Sequence, residues 1–273
     1  RSTQGYSSAA SDVYKRQLLN PSLGDKALKR DFIYLNICRF FKKKTSVFIH
    51  GFNFEYAKNA DWKWISTNLN KALCIFVLSQ EFKNELIRRG VKSDIHLTST
   101  KVPDYFISGF DLSMRQGKAK NIMYSGRIEK AKGVYETVDT FSILKSQYKD
   151  LTLTFVGDGS ELPKLKQYVE NKKIKDVRFT GRLCGEDFKK EYINADMYLF
   201  LSYTEGMPTV VLEAMIFGLP IFTRKVGGLI DFFENGKMGY ISSSLDPAVF
   251  AEAMKPYLSL IHISEPTRLG MIS

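Results

Sequence analysis

From residue 120 to residue 244 the chain alternates between short apolar runs and longer amphipathic stretches. The runs "KNIMYS" (120–125), "LTLTFVG" (151–157), "DVRFTG" (176–181), "DMYLFLS" (196–202), "PIFTRK" (220–225) and "GYISSS" (239–244) read as strands. Helical spacing of apolar residues marks 132–148, 161–173 and 186–195, with Pro163 near a first turn, where proline is tolerated. A further helix starts about Pro208, taken as its first residue, and is closed by Gly218 and Pro220. "DMYLFLS" is almost wholly apolar, as suits a strand buried on both faces of a parallel sheet. Strands alternating in this way with helices predict a doubly wound α/β domain.

The first half repeats the pattern less regularly. It offers a helix over 25–41, a strand over 44–50 ending at His50-Gly51, and a passage from helix into strand over 68–79. A helix over 80–90 follows, capped by Gly90, and then a strand over 94–100. Around 99–120 the periodicity gives way to Pro, Gly, Ser and basic residues, which reads as an interdomain linker. The expected organisation is a partial first Rossmann-like domain over 18–112 and a second domain over 119–258. The flanking segments 1–17 and 259–273 resemble translated adapter sequence at the ends of metagenomic fragments, through "SSAASDVYKRQ" and "SLIHISEPTRLGMIS", and are set aside as artefact.

Hydrophobic residues at 44% supply a proper core, and no apolar run approaches the roughly 18 residues of a membrane span. Cys38, Cys74 and Cys184 are scattered and odd in number, so they read as reduced core thiols of a cytoplasmic protein. The net charge of +11 is uneven: residues 18–118 hold 17 Lys+Arg against 9 Asp+Glu, and residues 119–258 hold 19 against 18. Nucleic acid, an anionic membrane surface or a solvated basic face each fit that excess. Nucleic acid is set aside, because no stretch interleaves aromatic with basic residues and the charge lies away from the glycine loops.

In a doubly wound sheet, ligands bind outside the carboxyl ends of the strands. That rule selects "SGRIEKAKG", "VGDGS", "FTGRL" and "SYTEGMPT". Gly126 permits close backbone approach, and Arg127 with Lys132 supplies a fork and a point charge for a diphosphate. In "YTEGMPTVVLEAM", Glu205 lies in the loop before the helix and Glu213 two turns inside it. Free amides at the loop and first turn, around Gly206, Met207 and Thr209, can face an anion. A carboxylate beside such a site repels bare phosphate, so the two glutamates make better sense as acceptors for hydroxyls on either side of a diphosphate. A nucleotide sugar has that shape.

With these pieces in order, residues 119–258 resemble the nucleotide-sugar-binding domain of family-four retaining glycosyltransferases (glycosyl transferases group 1) of the GT-B fold. "SGRIEKAKG", "FVGDGS", "VRFTGRL", "ADMYLFLSYTEGMPTVVLEAM", "GLPIFTRKVGGLIDFFENGKMGY" and "DPAVFAEAM" carry the resemblance. The first half is similar to the acceptor domain through "NPSLGDKALKRD", "VFIHGFN" and "FVLSQEFKNELIRRGV". The resemblance implies two Rossmann-like domains facing a cleft, the first of them incomplete. It implies that Glu205 contacts the donor sugar, Glu213 the ribose hydroxyls, and Arg127 and Lys132 the diphosphate. The loop Gly181-Arg182-Leu183 would sit against the base, and His50 near the transferred sugar. The donor would be a UDP- or GDP-sugar and the acceptor a saccharide or a lipid-linked one, in cell-surface polysaccharide or lipopolysaccharide synthesis at the inner face of the membrane. No cofactor or metal is expected.

Other readings stand beside these. Glu205 could cap the following helix. Glu213, a lone acid among Val210, Val211, Leu212 and Met215, needs a partner. A histidine such as His50 at a strand end is often structural, and Trp62 and Trp64 could be acceptor contacts or, the better fit, core. The family's first strand and glycine-rich loop are missing, as is its returning helix, which leaves room for an inactive nucleotide-sugar-binding module. A GT-B nucleotide-sugar 2-epimerase is the remaining alternative.

Overall fold

The computed structural model describes residues 16–114 and 120–259. Nearly all of the two end segments set aside above lies outside the described residues. Arg16, Gln17 and Ser259 do not: the first two begin a strand in register with Lys44 and Thr45, and the third ends a helix. The chain divides into two compact units. The first comprises residues up to Thr100 together with Thr204–Met207 and Gly227–Asp231, and the second comprises the rest. Residues 101–112, expected with the first domain, therefore fall in the second unit.

The first unit runs β1 (Arg16–Leu19), β2 (Ser22–Leu23), α1 (Asp25–Phe40), β3 (Lys44–Ile49), β4 (Gly51–Phe52), α2 (Phe54–Asn59), α3 (Trp62–Leu69), β5 (Ile75–Val77), α4 (Gln80–Arg88) and β6 (Ile95–Leu97). Its parallel sheet has the order β1-β3-β5-β6, and β2 pairs with β4 in a separate ribbon. Helix starts are fixed locally. The side chains of Asn53, Asp61 and Ser79 accept from the amides of Tyr56, Trp64 and Phe82, each such cap contributing about 1 kcal/mol. Leu28, Phe32 and Leu35, spaced to share one face of α1, join Val47, Ile49, Ile75 and Val77 in the core. Trp62 packs on that core and donates its indole N–H to the Ala57 carbonyl at 2.7 Å, whereas Trp64 lies at the surface with its ring edge-on to Phe32.

The opposite face of α1 is unusual. Lys26, Lys29, Arg30, Arg39 and Lys42 to Lys44 are all exposed. At 100° per residue, Lys26, Lys29 and Arg30 share the outward face with Ile33, Ile37 and Phe40, while Arg39 lies off it. Phe40 and Phe41 are 81% and 64% exposed.

The second unit runs β7 (Asn121–Ser125), α5 (Val134–Gln147), β8 (Thr152–Val156), α6 (Leu162–Asn171), β9 (Val177–Gly181), α7 (Gly185–Asn194), β10 (Met197–Phe200), α8 (Thr209–Ile216), β11 (Ile221–Arg224), β12 (Gly239–Ser242) and α9 (Pro247–Ser259). All six strands are parallel in the order β12-β11-β10-β7-β8-β9. Every residue of β10 is buried, as its apolar run predicts, each large side chain contributing roughly 1.5–3 kcal/mol. The order reverses between β7 and β10, which makes their carboxyl ends a topological switch point.

Three further expectations need correction. Pro208 is not the first helical residue but the N-cap of α8, because its ψ of 101° is extended. Cys184 is exposed at the start of α7, not a core thiol. The segment read as a linker is anchored to the second unit: Phe106 packs against Phe188, Tyr192 and Phe217, Phe110 packs against Phe217, and Lys189 donates to the Ser108 carbonyl. Two aromatic residues four positions apart hold a stretch that has no other periodicity.

Candidate active site

In the second unit, the loops that follow β7, β8 and β9 are stitched together at the carboxyl edge of the sheet. The Gly126 amide donates to the Val156 carbonyl at 3.0 Å and the Gly157 amide to the Gly181 carbonyl at 2.9 Å. These approaches require glycine. A Cβ on Gly157, whose φ is +140°, would lie 1.9 Å from the Gly126 carbonyl oxygen. Gly181 also has a left-handed φ, +73°, and turns the chain into the exposed Arg182 and half-buried Leu183.

Arg127 leaves this edge with its side chain 69% exposed, and its Nη1 lies 2.9 Å from Glu129. Lys132, half-buried, ends a short 3-10 turn just before Gly133, the N-cap of α5. Gly133 has φ +68°, and a Cβ there would meet the Leu201 carbonyl oxygen at 2.0 Å. The loop is thus pressed onto the end of β10, and the Tyr203 amide also donates to the Ala131 carbonyl at 3.0 Å. No side chain caps α5, so its first-turn amides keep their favourable field for an anion.

Glu213 sits half-buried on α8 and has the partner that a lone acid there demands. The Tyr192 hydroxyl donates to its Oε2 at 2.8 Å. The same hydroxyl lies 2.8 Å from Ser125 Oγ, which lies 2.9 Å from the Tyr198 hydroxyl. Burial pushes the Glu213 carboxyl above its ordinary range, and the Tyr192 hydrogen bond opposes that rise. Glu213 is thereby tied to the carboxyl end of β7, one residue before Gly126. Thr209 opens the same helix and is half-buried.

The first unit holds the remaining expected residues. His50, just after β3, is exposed, with its Nε2 2.9 Å from Ser22 Oγ. Segment 204–207 lies against its backbone: a Cβ on Gly206 would be 2.0 Å from the His50 carbonyl oxygen. The Gly228 amide donates to the Gly206 carbonyl at 2.8 Å, and a Cβ on Gly228 would meet Met207 Cε at 2.2 Å. Asp231 closes the arrangement by accepting from the Gln80 amide at 2.8 Å. Glu205 is half-buried in this segment.

Sequence reasoning missed Ser125, Tyr192 and Tyr198, and also a charged cluster at the ends of β10 and β11. There the Tyr203 hydroxyl donates to Glu136, and the Arg224 guanidinium stands 4.5 Å from the Tyr203 ring centre. Arg224 Nε and Nη1 and Glu136 Oε2 are buried without a hydrogen-bond partner among the described residues. Burial lowers the Arg224 pKa. Among the described residues, no group of three His, Cys, Asp or Glu side chains is placed to hold a metal ion.

This geometry coincides with independent likenesses. A family model described as "Glycosyl transferases group 1" matches residues 113–267. A glycogen synthase of Mycobacterium tuberculosis is 30% identical over 145 residues, covering 53% of this chain and 35% of that protein. A GDP-mannose-dependent alpha-mannosyltransferase of Corynebacterium glutamicum is 26% identical over 193 residues, covering 68% and 44%. The chain thus spans less than half the length of either relative. The structure of Anabaena Alr3699/HepE in complex with UDP and glucose superposes with a TM-score of 0.67 at 17% identity, over 97% of this chain and 72% of that one. The shared fold is GT-B.

Proposed function

The chain belongs to the glycosyl transferases group 1 family, and on that premise we propose that its second unit binds a nucleotide-diphosphate sugar for transfer of the sugar to an acceptor hydroxyl. One observation carries the reading. A half-buried carboxylate, Glu213, is held at the carboxyl end of β7, where the Gly126–Lys132 loop begins. Glu213 accepts the ribose hydroxyls, and the loop Gly181-Arg182-Leu183 faces the base. The diphosphate lies on Gly126, Arg127, Lys132 and the uncapped start of α5. Thr209 extends its cradle; for the first unit's Glu205, Gly206, Met207 and His50 the family resemblance supports a role toward the donor sugar.

As the anomeric C–O bond to the diphosphate breaks, negative charge accumulates on the departing group. Arg127, Lys132 and backbone amides take up that charge in place, the kind of preorganised stabilisation that lowers a barrier most. Arg127 already pairs with one anion, Glu129, and exchanges it for phosphate when the donor binds. Transfer proceeds with retention at the anomeric carbon, without a metal, onto a saccharide or lipid-linked acceptor of cell-surface polysaccharide synthesis at the cytoplasmic face of the membrane. The exposed basic and apolar face of α1 supports contact with an anionic surface there. UDP is favoured by the ligand of the Anabaena structure and GDP by the donor of the Corynebacterium enzyme.

Calorimetric titration of the chain with UDP and with GDP tests the binding half. One of the two should bind, and Lys132→Ala should weaken it. Binding of neither would refute the reading.

A further inference from the structure

Four polar side chains form a single file through the second unit. Tyr198 on β10, Ser125 at the end of β7 and Tyr192 on α7 are all fully buried. Successive oxygens lie 2.9 Å apart from Tyr198 to Ser125, 2.8 Å from Ser125 to Tyr192, and 2.8 Å from Tyr192 to Glu213. Each hydroxyl has one proton to donate, and an ionised carboxylate can only accept. An ionised Glu213 therefore accepts from the Tyr192 hydroxyl, which also lies 3.3 Å from the Val210 carbonyl. Ser125 Oγ can then donate to Tyr192, and Tyr198 donates to the carbonyl of Ser125 at 3.1 Å or to its hydroxyl at 2.9 Å.

The Tyr192 ring cannot swing away from this duty. It stacks on Phe217 at 5.3 Å and 7°, and Phe188 and Phe106 meet its ring nearly edge-on. Glu213 Oε2 is consequently fixed by a rigid donor, and Oε1 makes no hydrogen bond among the described residues. A carboxylate left free to rotate on an exposed helix would have to be ordered by its ligand at an entropic cost. This one is ordered beforehand.

We propose that Tyr192, anchored by Ser125 and Tyr198, is the positioning residue of the ribose subsite, holding Glu213 with one oxygen locked and the other presented to the ligand's vicinal hydroxyls. The inference rests on the reading of Glu213 as the ribose-binding carboxylate. Tyr192 touches no ligand atom and acts through Glu213; its hydroxyl also lies 3.3 Å from the Val210 carbonyl on the same helix as Glu213.

The test compares UDP or GDP, whichever the chain binds, with its 2′,3′-dideoxy analogue, titrated against the whole chain. The wild-type chain should bind the dideoxy form about tenfold or more weakly, the loss expected for hydrogen bonds to a charged acceptor. Glu213→Gln should narrow that gap. Tyr192→Phe, which keeps the ring and deletes only the hydroxyl, should narrow it too, weakening the normal nucleotide about tenfold and sparing the dideoxy form. A purely structural tyrosine would weaken both ligands alike, and that result would overturn the proposal. If Glu213→Gln leaves the gap intact, the assignment of Glu213 itself fails. If Glu213→Gln closes the gap and Tyr192→Phe does not, only the positioning role fails. Ser125→Ala, which removes the donor to Tyr192, provides a second variant should Tyr192→Phe not fold; it should narrow the gap in the same sense, and an unchanged gap would count against the proposal.

Discussion

The two units place their polar groups in opposite ways. In the second, polar groups are tied inward: Tyr198, Ser125 and Tyr192 are fully buried and form one hydrogen-bonded file that ends on Glu213. In the first, α1 turns its polar groups outward, with Lys26, Lys29 and Arg30 beside an apolar patch in which Phe40 is 81% exposed. A fixed network recognises a small ligand of defined shape, because each donor already points at its acceptor. A loose cationic and apolar surface suits an extended partner whose shape is not defined. On the proposed reading, the buried network of the second unit serves donor recognition and the outward face of α1 serves surface association.

The largest effect should come from the close approaches that build the second unit. Gly133→Ala would put a Cβ 2.0 Å from the Leu201 carbonyl oxygen at φ +68°, and should cost about 3 kcal/mol or more. Gly90 of the first unit has φ +87° but open space around it, so Gly90→Ala should cost only about 1 kcal/mol. Thermal melting of both variants checks the difference. Similar melting temperatures would mean that backbone strain alone governs both sites.

Next in size is a pH effect on nucleotide binding. On the proposed reading Glu213 accepts ribose hydroxyls most strongly when ionised, and burial raises its pKa despite the Tyr192 hydrogen bond. Affinity should therefore begin to fall, as pH is lowered, above the ordinary carboxylate range. The loss should approach roughly 1.5–3 kcal/mol once Glu213 is protonated. Glu213→Gln should remove this dependence.

Arg127→Ala should weaken nucleoside diphosphate binding by only about 1 kcal/mol, because the guanidinium is exposed and must first leave Glu129. Inorganic pyrophosphate should show the same small loss.

The smallest effects belong to the first unit. Each basic residue at a membrane surface contributes about 1 kcal/mol and is screened by salt. Co-sedimentation with anionic vesicles should weaken stepwise with Lys29→Ala and Arg30→Ala and decline as salt rises. Equal binding to neutral vesicles would remove the electrostatic argument and leave Phe40 and Phe41 to explain it.

The sheet of the second unit was legible because each strand is a compact apolar run and each helix carries a periodic face, as at "DMYLFLS" and 161–173. Glu213 stood out for a physical reason too, being a lone acid on an apolar helix. Its partner did not, because Tyr192 looks like any core aromatic of an amphipathic helix and its hydroxyl meets a residue 21 positions away. Phe106 and Phe110 anchor the segment after Thr100 without any repeating pattern, so that stretch read as a linker. The two-residue strands β2 and β4 are too short for any period. The grouping of Thr204–Met207 and Gly227–Asp231 with the first unit depends on backbone approaches such as Gly206 to His50, which leave only an unexplained glycine in the sequence.

Calorimetry on two glutamate variants bears on donor recognition without needing an acceptor. Glu213→Ala should weaken both the free nucleoside diphosphate and the complete nucleotide sugar by roughly 1.5–3 kcal/mol. Glu205→Ala should spare the nucleoside diphosphate, or bind it slightly better for want of a nearby negative charge, and should lose affinity only for the complete donor. If both variants bind the nucleotide sugar as the wild-type chain does and merely melt at lower temperature, the two glutamates are capping and packing residues, and the donor site proposed for this chain does not exist.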